Sequence, residues 1–314
     1  MDGTTPALQT VGMLTLLASS TLLLLGSCSH EPAPLALRAE GEFETLWYDG
    51  QAELAGYVWK GSRYGEPRTG EAVAIFVTEN IDAETHVKLD DPSKSGVTVL
   101  KLNLVRDFQT GLYDYDTTTS VFAEVGAFRP LRVTFASQEW CGHVHESLDV
   151  GKKLALDVQS YFEGESVATT LAWKENAVLG DHLFVWLRGL RGAPLAPGET
   201  KELPYLADGF ERRLRHAEAE WQSVKVTRAA ASTRETVPAG TFAAVLYTLA
   251  TGDGRSGRVA FEEAYPHRLL AWSWQRGAEV LDSGAMTGSK RLKYWELHAE
   301  GQGALRAELG LPKR

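Results

Sequence analysis

The chain is poor in cysteine and methionine, and it carries fewer basic than acidic side chains. Two cysteines in 314 residues cannot form the disulfide framework of a small secreted scaffold, and no Cys-x-x-Cys pair is present for redox or paired-thiolate chemistry. Gly-x-Ser-x-Gly and His-Glu-x-x-His are both missing, which removes the strand-turn-helix serine nucleophile and the helical zinc-hydrolase pair. Gly284-Ala-Met-Thr-Gly-Ser-Lys290 lacks the spacing of a phosphate-cradling loop. Thirty-two Lys and Arg against 41 Asp and Glu leave a formal charge of −9, so neither nucleic acid nor an anionic headgroup surface is expected as the main partner. What is present suffices for folding: a hydrophobic content of 44% supplies a packed core.

The N-terminus has its own pattern. Asp2 is the one charged residue before Cys28, and the apolar run from Val11 to Gly26 falls short of the ~20 residues of a membrane-spanning helix. The run ends in Leu25-Gly26-Ser27-Cys28, which resembles the lipobox of bacterial lipoproteins. That resemblance implies cleavage before Cys28, acylation of its sulfur and new amino group, and a membrane partner reached through the lipid. It also implies a cell-envelope location, and Ser29 after the cysteine implies the outer membrane facing the periplasm. The segment from Met1 to Thr10 has no Lys or Arg, a departure from the usual positive start of such leaders. Residues 1–27 are therefore expected to be a signal peptide and 28–41, with Pro32 and Pro34, a tether.

From Phe43 onward the signals are those of strands. Ala72-Val-Ala-Ile-Phe-Val-Thr78 is a β-branched apolar run too short for a typical helix. Leu100, Leu102 and Leu104 alternate with Lys101 and Asn103, and Leu154, Leu156 and Val158 with Lys153 and Asp157, the period of a half-buried strand. Asp114 and Asp116 share one strand face, read as solvated because no calcium-loop pattern follows. Val178, Leu179, Leu183, Trp186, Leu187 and Leu190 recur at helical spacing, and Gly189 and Gly192 supply a stop, which predicts a helix over 177–190. Phe210-Glu-Arg-Arg-Leu-Arg-His216 is read as a strand with Arg213 and Arg215 on one face. A final hairpin is expected from Glu279 through Gly288 to Leu297. The expected fold is mainly β, either a curved open antiparallel sheet resembling half a barrel or two packed β units, with one packed helix. The expected divisions are 42–193, a loop at 194–209, 210–300 and a tail at 301–314.

Chemistry concentrates in Leu131-Arg-Val-Thr-Phe-Ala-Ser-Gln-Glu-Trp-Cys-Gly-His-Val-His145. If a single strand period ran through it, Glu139, Cys141, His143 and His145 would extend the apolar face of Leu131, Val133 and Phe135. Two histidines spaced His-x-His, with a thiolate, could hold zinc with one open position for an ionisable water, Glu139 orienting them. Cys141 could instead be a nucleophile activated by His143, or simply a small packed side chain. Gly142 is the residue able to break that period with a bulge or turn.

Glu139-Trp-Cys-Gly-His143, Arg63-Tyr-Gly-Glu66, Gly70-Glu-Ala-Val-Ala-Ile-Phe-Val-Thr78 and Arg213-Leu-Arg-His216 together resemble a family of predicted bacterial lipoproteins of unsettled function. The resemblance spans roughly Trp47 to Trp221. Some members are called septum-formation inhibitor Maf, but the Ser-x-Ser-Pro-Arg-Arg start of true Maf nucleotide pyrophosphatases is absent from this chain. Val237-Pro-Ala-Gly-Thr-Phe242 and the strands after it are similar to periplasmic β proteins of the domain-of-unknown-function 3108 type, implying an open curved sheet. The functional expectation is a lipid-anchored envelope protein with a structural or ligand-binding role, its partner an apolar small molecule or another envelope protein. The alternative is a metal- or thiol-dependent envelope enzyme built on Cys141, His143 and His145.

Overall fold

The computed structural model describes residues 41–91 and 93–312; the expected signal peptide, Cys28 and the expected tether up to residue 40 lie outside the described residues. Alternating apolar and polar positions become eight consecutive antiparallel strands: β1 (Ala52–Arg63), β2 (Glu66–Ile81), β3 (Val97–Thr110), β4 (Tyr113–Glu124), β5 (Pro130–Glu139), β6 (Gly142–Val150), β7 (Lys153–Ser160) and β8 (Val167–Ala172). After β8 the chain crosses to the opposite edge and builds β9 (Val178–Leu179), β10 (Thr200–Leu206), β11 (Trp221–Arg228), β12 (Thr233–Val237), β13 (Gly240–Thr251), β14 (Ser256–Glu262), β15 (Leu269–Arg276) and β16 (Glu279–Leu292). β16 pairs with β1, so two meanders share one 16-stranded sheet whose path runs from β8 to β9 without closing, β12 pairing to β13 beside it. The open curved sheet is thus observed, and two separate β units are not: residues 200–206 of the expected loop are a strand between β9 and β11.

Side chains fill the curve. Trp59, Trp272, Tyr57, Phe76, Tyr115 and Phe135 are fully buried, each on an inward position of its strand, as the period of two requires. Trp272 lies flat on its cross-strand partner Gly284, where a Cβ would come within 2.1 Å of the indole; only glycine leaves room for that ring. Two short helices lie among these side chains, α2 (Leu183–Arg188) and α3 (Gly209–Arg215), and a third, α1 (Glu42–Trp47), precedes β1. Phe43 and Trp47 of α1 are buried in the core, so the strand signals begin at Ala52 and not at Phe43.

Three further expectations are corrected. The stretch 177–190 is a two-residue strand, a 3-10 turn over Gly180–His182 and the six-residue α2. Its apolar residues recur so densely because Leu183, Phe184, Val185 and Leu187 are all buried, and a helix enclosed on every side needs no polar face. Gly189, in the left-handed region at φ 62°, ends it as expected. Residues 210–215 form α3 because Asp208 caps it, its Oδ1 accepting from the Glu211 amide at 2.8 Å; Asp208-Gly-Phe-Glu211 has the spacing of a capping box. Glu279 to Leu292 is a single strand, the turn lying before it at Gly277. The tail includes a 3-10 segment over Gln302–Leu309, and Leu309 and Leu311 pack against Ala52, Leu54 and Val77. That seat depends on Gly56, where a Cβ would meet the Leu309 carbonyl oxygen at 2.4 Å.

Candidate functional site

The Leu131–His145 stretch is a tight hairpin. Glu139 pairs with Gly142 across Trp140-Cys141, so β6 turns back beside β5 and does not prolong it. Directly paired residues share a sheet face, and His143 and His145 pair with Gln138 and Ala136. The two histidines are therefore exposed on the outer face, Glu139 is buried on the inner face, and Cys141 is exposed at the turn. The structure does not bring the four residues together, and among the described residues no group of three or more His, Cys, Asp and Glu side chains is placed to hold a metal ion.

Glu139 serves another purpose. Its carboxylate accepts from Arg213 of α3, and Glu146, one turn further along the inner face, accepts from Arg212. Both pairs are almost wholly buried. The guanidinium of Arg213 also lies 4.2 Å from the Phe162 ring centre, a cation–π contact. The basic patch that reads as a strand face is thus a helix whose consecutive arginines dock on two inward carboxylates. Arg255 completes the frame, 3.5 Å from Glu211 and 3.7 Å from Asp208.

Beneath α3 lies a second charged contact. Both Asp181 carboxylate oxygens accept from the Gly209 amide, at 3.2 and 3.1 Å, and burial, aided by the nearby Asp208 carboxylate, pushes the Asp181 carboxyl up to about 7. Its neighbour His182 is held down to about 4 by burial while Nε2 donates to the Phe128 carbonyl at 2.7 Å, so it is a neutral core histidine. A carboxyl whose folded-state pKa is raised stabilises the fold fully below its unfolded value and loses that contribution as pH rises through the folded value. Asp181→Asn is accordingly expected to match the wild type near pH 3.5 and to exceed it in stability at about pH 8, by an amount on the order of a few kcal/mol. Urea midpoints measured across that range check this; parallel curves would contradict it.

Between α3 and the inner faces of β6, β7 and β8 is an open cavity of about 810 Å³. Its apolar wall comes from Phe135, Val144, Leu156, Val158 and Leu171, its floor from the Arg212 and Arg213 pairs. Glu163, Glu165, Glu218 and Glu220 stand around the opening with His216, whose Nδ1 is 2.5 Å from Glu165. The sheet does not seal this end, since among the described residues β8 has no partner beyond β7. The residues after β8 instead approach the start of β11, with the Trp173 and Trp221 rings 5.8 Å apart. The volume lies in the range of small-molecule sites, which pair apolar walls with a few fixed polar groups.

No family model matches this chain. No curated protein matches it either, and neither resemblance drawn from the motifs gains support from these comparisons. Among solved structures the chain is similar to a β-barrel-like protein of the domain-of-unknown-function 1849 type from Brucella abortus, at 11% identity, 77% of this chain, 98% of that one and a TM-score of 0.46. It is also similar to a Bacteroides fragilis protein with a YmcC-like fold, at 10% identity, 76% of this chain, 94% of that one and a TM-score of 0.21. Scores this low transfer no function.

Alternation marks Leu154, Leu156 and Val158 as one strand face, although not as a cavity wall. Nothing in the sequence links Arg212 to Glu146, because a pair separated by 66 positions leaves no local pattern.

Proposed function

We propose that this chain is an exported, lipid-anchored ligand-binding protein of a bacterial envelope, and that the cavity between α3 and strands β6 to β8 takes an apolar small molecule. The observation that carries the reading is the cavity itself, a walled space of about 810 Å³ opening beside an unpaired sheet edge. Its wall would bury an apolar ligand at about 25 cal/mol for each Å² removed from water. Its arginines are already matched by Glu139 and Glu146, so the floor offers no spare positive charge to an anion. The leader ending in Leu25-Gly26-Ser27-Cys28 supports export and anchoring.

Val158 faces the cavity from β7 and is only partly buried, so a larger side chain there fills space without entering the packed core. Titration with the neutral fluorophore N-phenylnaphthylamine is expected to show saturable binding that Val158→Trp weakens at least tenfold. The melting temperature should stay unchanged. Thr169→Trp, entering from β8, is expected to act in the same way. Equal binding by the wild type and both variants would remove the cavity as the site.

A further inference from the structure

Strands β1 to β8 alternate in direction, so the turns after β1, β3, β5 and β7 all fall at one end of the sheet. Each presents a large apolar side chain to solvent: Tyr64 is 58% exposed, Leu112 78%, Trp140 68% and Tyr161 75%. They are parts of one ridge. The Tyr64 and Tyr113 hydroxyls are 3.3 Å apart, and the Tyr113 and Trp140 ring centres 6.3 Å. The Tyr161 ring lies over Gly142, and Phe162 next to it stacks edge-on to His216 at the cavity opening. Large side chains exposed on four successive turns are not the scattered apolar residues of an ordinary surface.

We infer that this ridge docks the protein on an uncharged, zwitterionic lipid surface, with the cavity opening next to the contact. Tyrosine and tryptophan have an apolar body and a polar tip, the chemistry that settles at a membrane–water interface. The segments Tyr64-Gly65, Gly111-Leu112, Trp140-Cys141 and Tyr161–Ser166 contain no Lys or Arg, whereas Glu163 and Glu165 belong to the last of them. An anionic surface is therefore disfavoured. A narrow ridge of side chains, most of them with a polar tip, suits a fluid surface better than the broad, packed patch that a protein partner would need. The surface goes beyond the ligand-binding reading and does not depend on it.

Cys141 sits in the middle of the ridge and is exposed, which makes it a reporter. The full chain carrying Cys28→Ser, with an environment-sensitive fluorophore on Cys141, would be titrated with phosphatidylcholine vesicles containing a nitroxide lipid labelled near the headgroup. Vesicle-dependent quenching of the fluorophore is expected. It should fall at least tenfold in Leu112→Asp with Tyr161→Asp, two exposed changes that leave the melting temperature in place. Phosphatidylglycerol vesicles are expected to quench no more strongly. The inference is overturned if vesicles carry the chain but leave the fluorophore unquenched, or if the double variant quenches like the parent. It is also overturned if the signal follows protein concentration without vesicles, which would mark the ridge as a contact between copies.

Discussion

Asp282→Ala is expected to cost about 3–5 kcal/mol, the loss that follows when one partner of a buried ion pair is removed. Asp282 lies on β16 and is the hub of the inner face. Its Oδ1 accepts from Trp59 Nε1 at 2.6 Å and its Oδ2 from Trp272 Nε1 at 3.0 Å, while Arg106 donates through Nε at 3.2 Å and Nη2 at 2.9 Å. These contacts join β1, β3, β15 and β16, so the carboxylate fixes the seam where the two meanders meet. Alanine leaves a guanidinium under Phe210, 4.4 Å from the ring centre, with no counter-charge and two indole N–H groups with no acceptor. A buried donor without a partner adds about 1–3 kcal/mol of desolvation cost. The check is a urea titration, with the midpoint falling and the slope retained. Arg106→Leu combined with Asp282→Leu is expected to recover much of the loss, since matched apolar groups often replace a buried pair at little cost. If Asp282→Ala lowered the unfolding free energy by less than about 1 kcal/mol, the hub would be wrong.

A second large effect is expected at the hairpin. Glu139→Ala should destabilise by about 3–5 kcal/mol by stranding the Arg213 guanidinium in the interior. Cys141→Ser, His143→Ala and His145→Ala should each stay within about 0.5 kcal/mol, as exposed positions do. The contrast separates two accounts of the same four residues. If the stretch were a metal or thiol centre, the cysteine and histidine changes would carry the effect; if it anchors α3, the glutamate alone does. Arg213→Ala is the complementary test, expected to cost a similar amount by leaving Glu139 unpaired beside Tyr115, its partner across the β4–β5 register. Thermal unfolding of all five variants reads the split directly.

These expectations show where local pattern was informative. The period of two marks the inward faces of β3 and β7 and the solvated face of β4, where Asp114 and Asp116 are exposed, because strand orientation is set residue by residue. The open curved sheet followed from many such segments with few helical ones. The Glu139–His145 stretch reads as one continuous strand, whereas it is a hairpin. One tight turn at Trp140-Cys141 sends the histidines to the opposite face from Glu139, and alternation alone does not locate a turn. Two motifs that the sequence associates only by resemblance, around Glu139 and around Arg213, turn out to touch. Their contact spans 74 positions, a relation that spacing does not encode. The helical state of α3 is signalled by the capping pattern from Asp208 to Glu211, which competes with an alternation that seven residues can satisfy by chance. The cavity was beyond reach, because it is a space between β6, β7, β8 and a helix from the other half of the chain.

The central claim is that this space holds an apolar molecule, and native mass spectrometry of protein purified under gentle, non-denaturing conditions tests it most directly. The account predicts a mass above that of the polypeptide, carried by a molecule that extracts into organic solvent and is missing from Val158→Trp prepared identically. A single unliganded mass for the wild type that stays unliganded after incubation with apolar extracts of the source envelope, or an adduct retained undiminished by Val158→Trp, would contradict it.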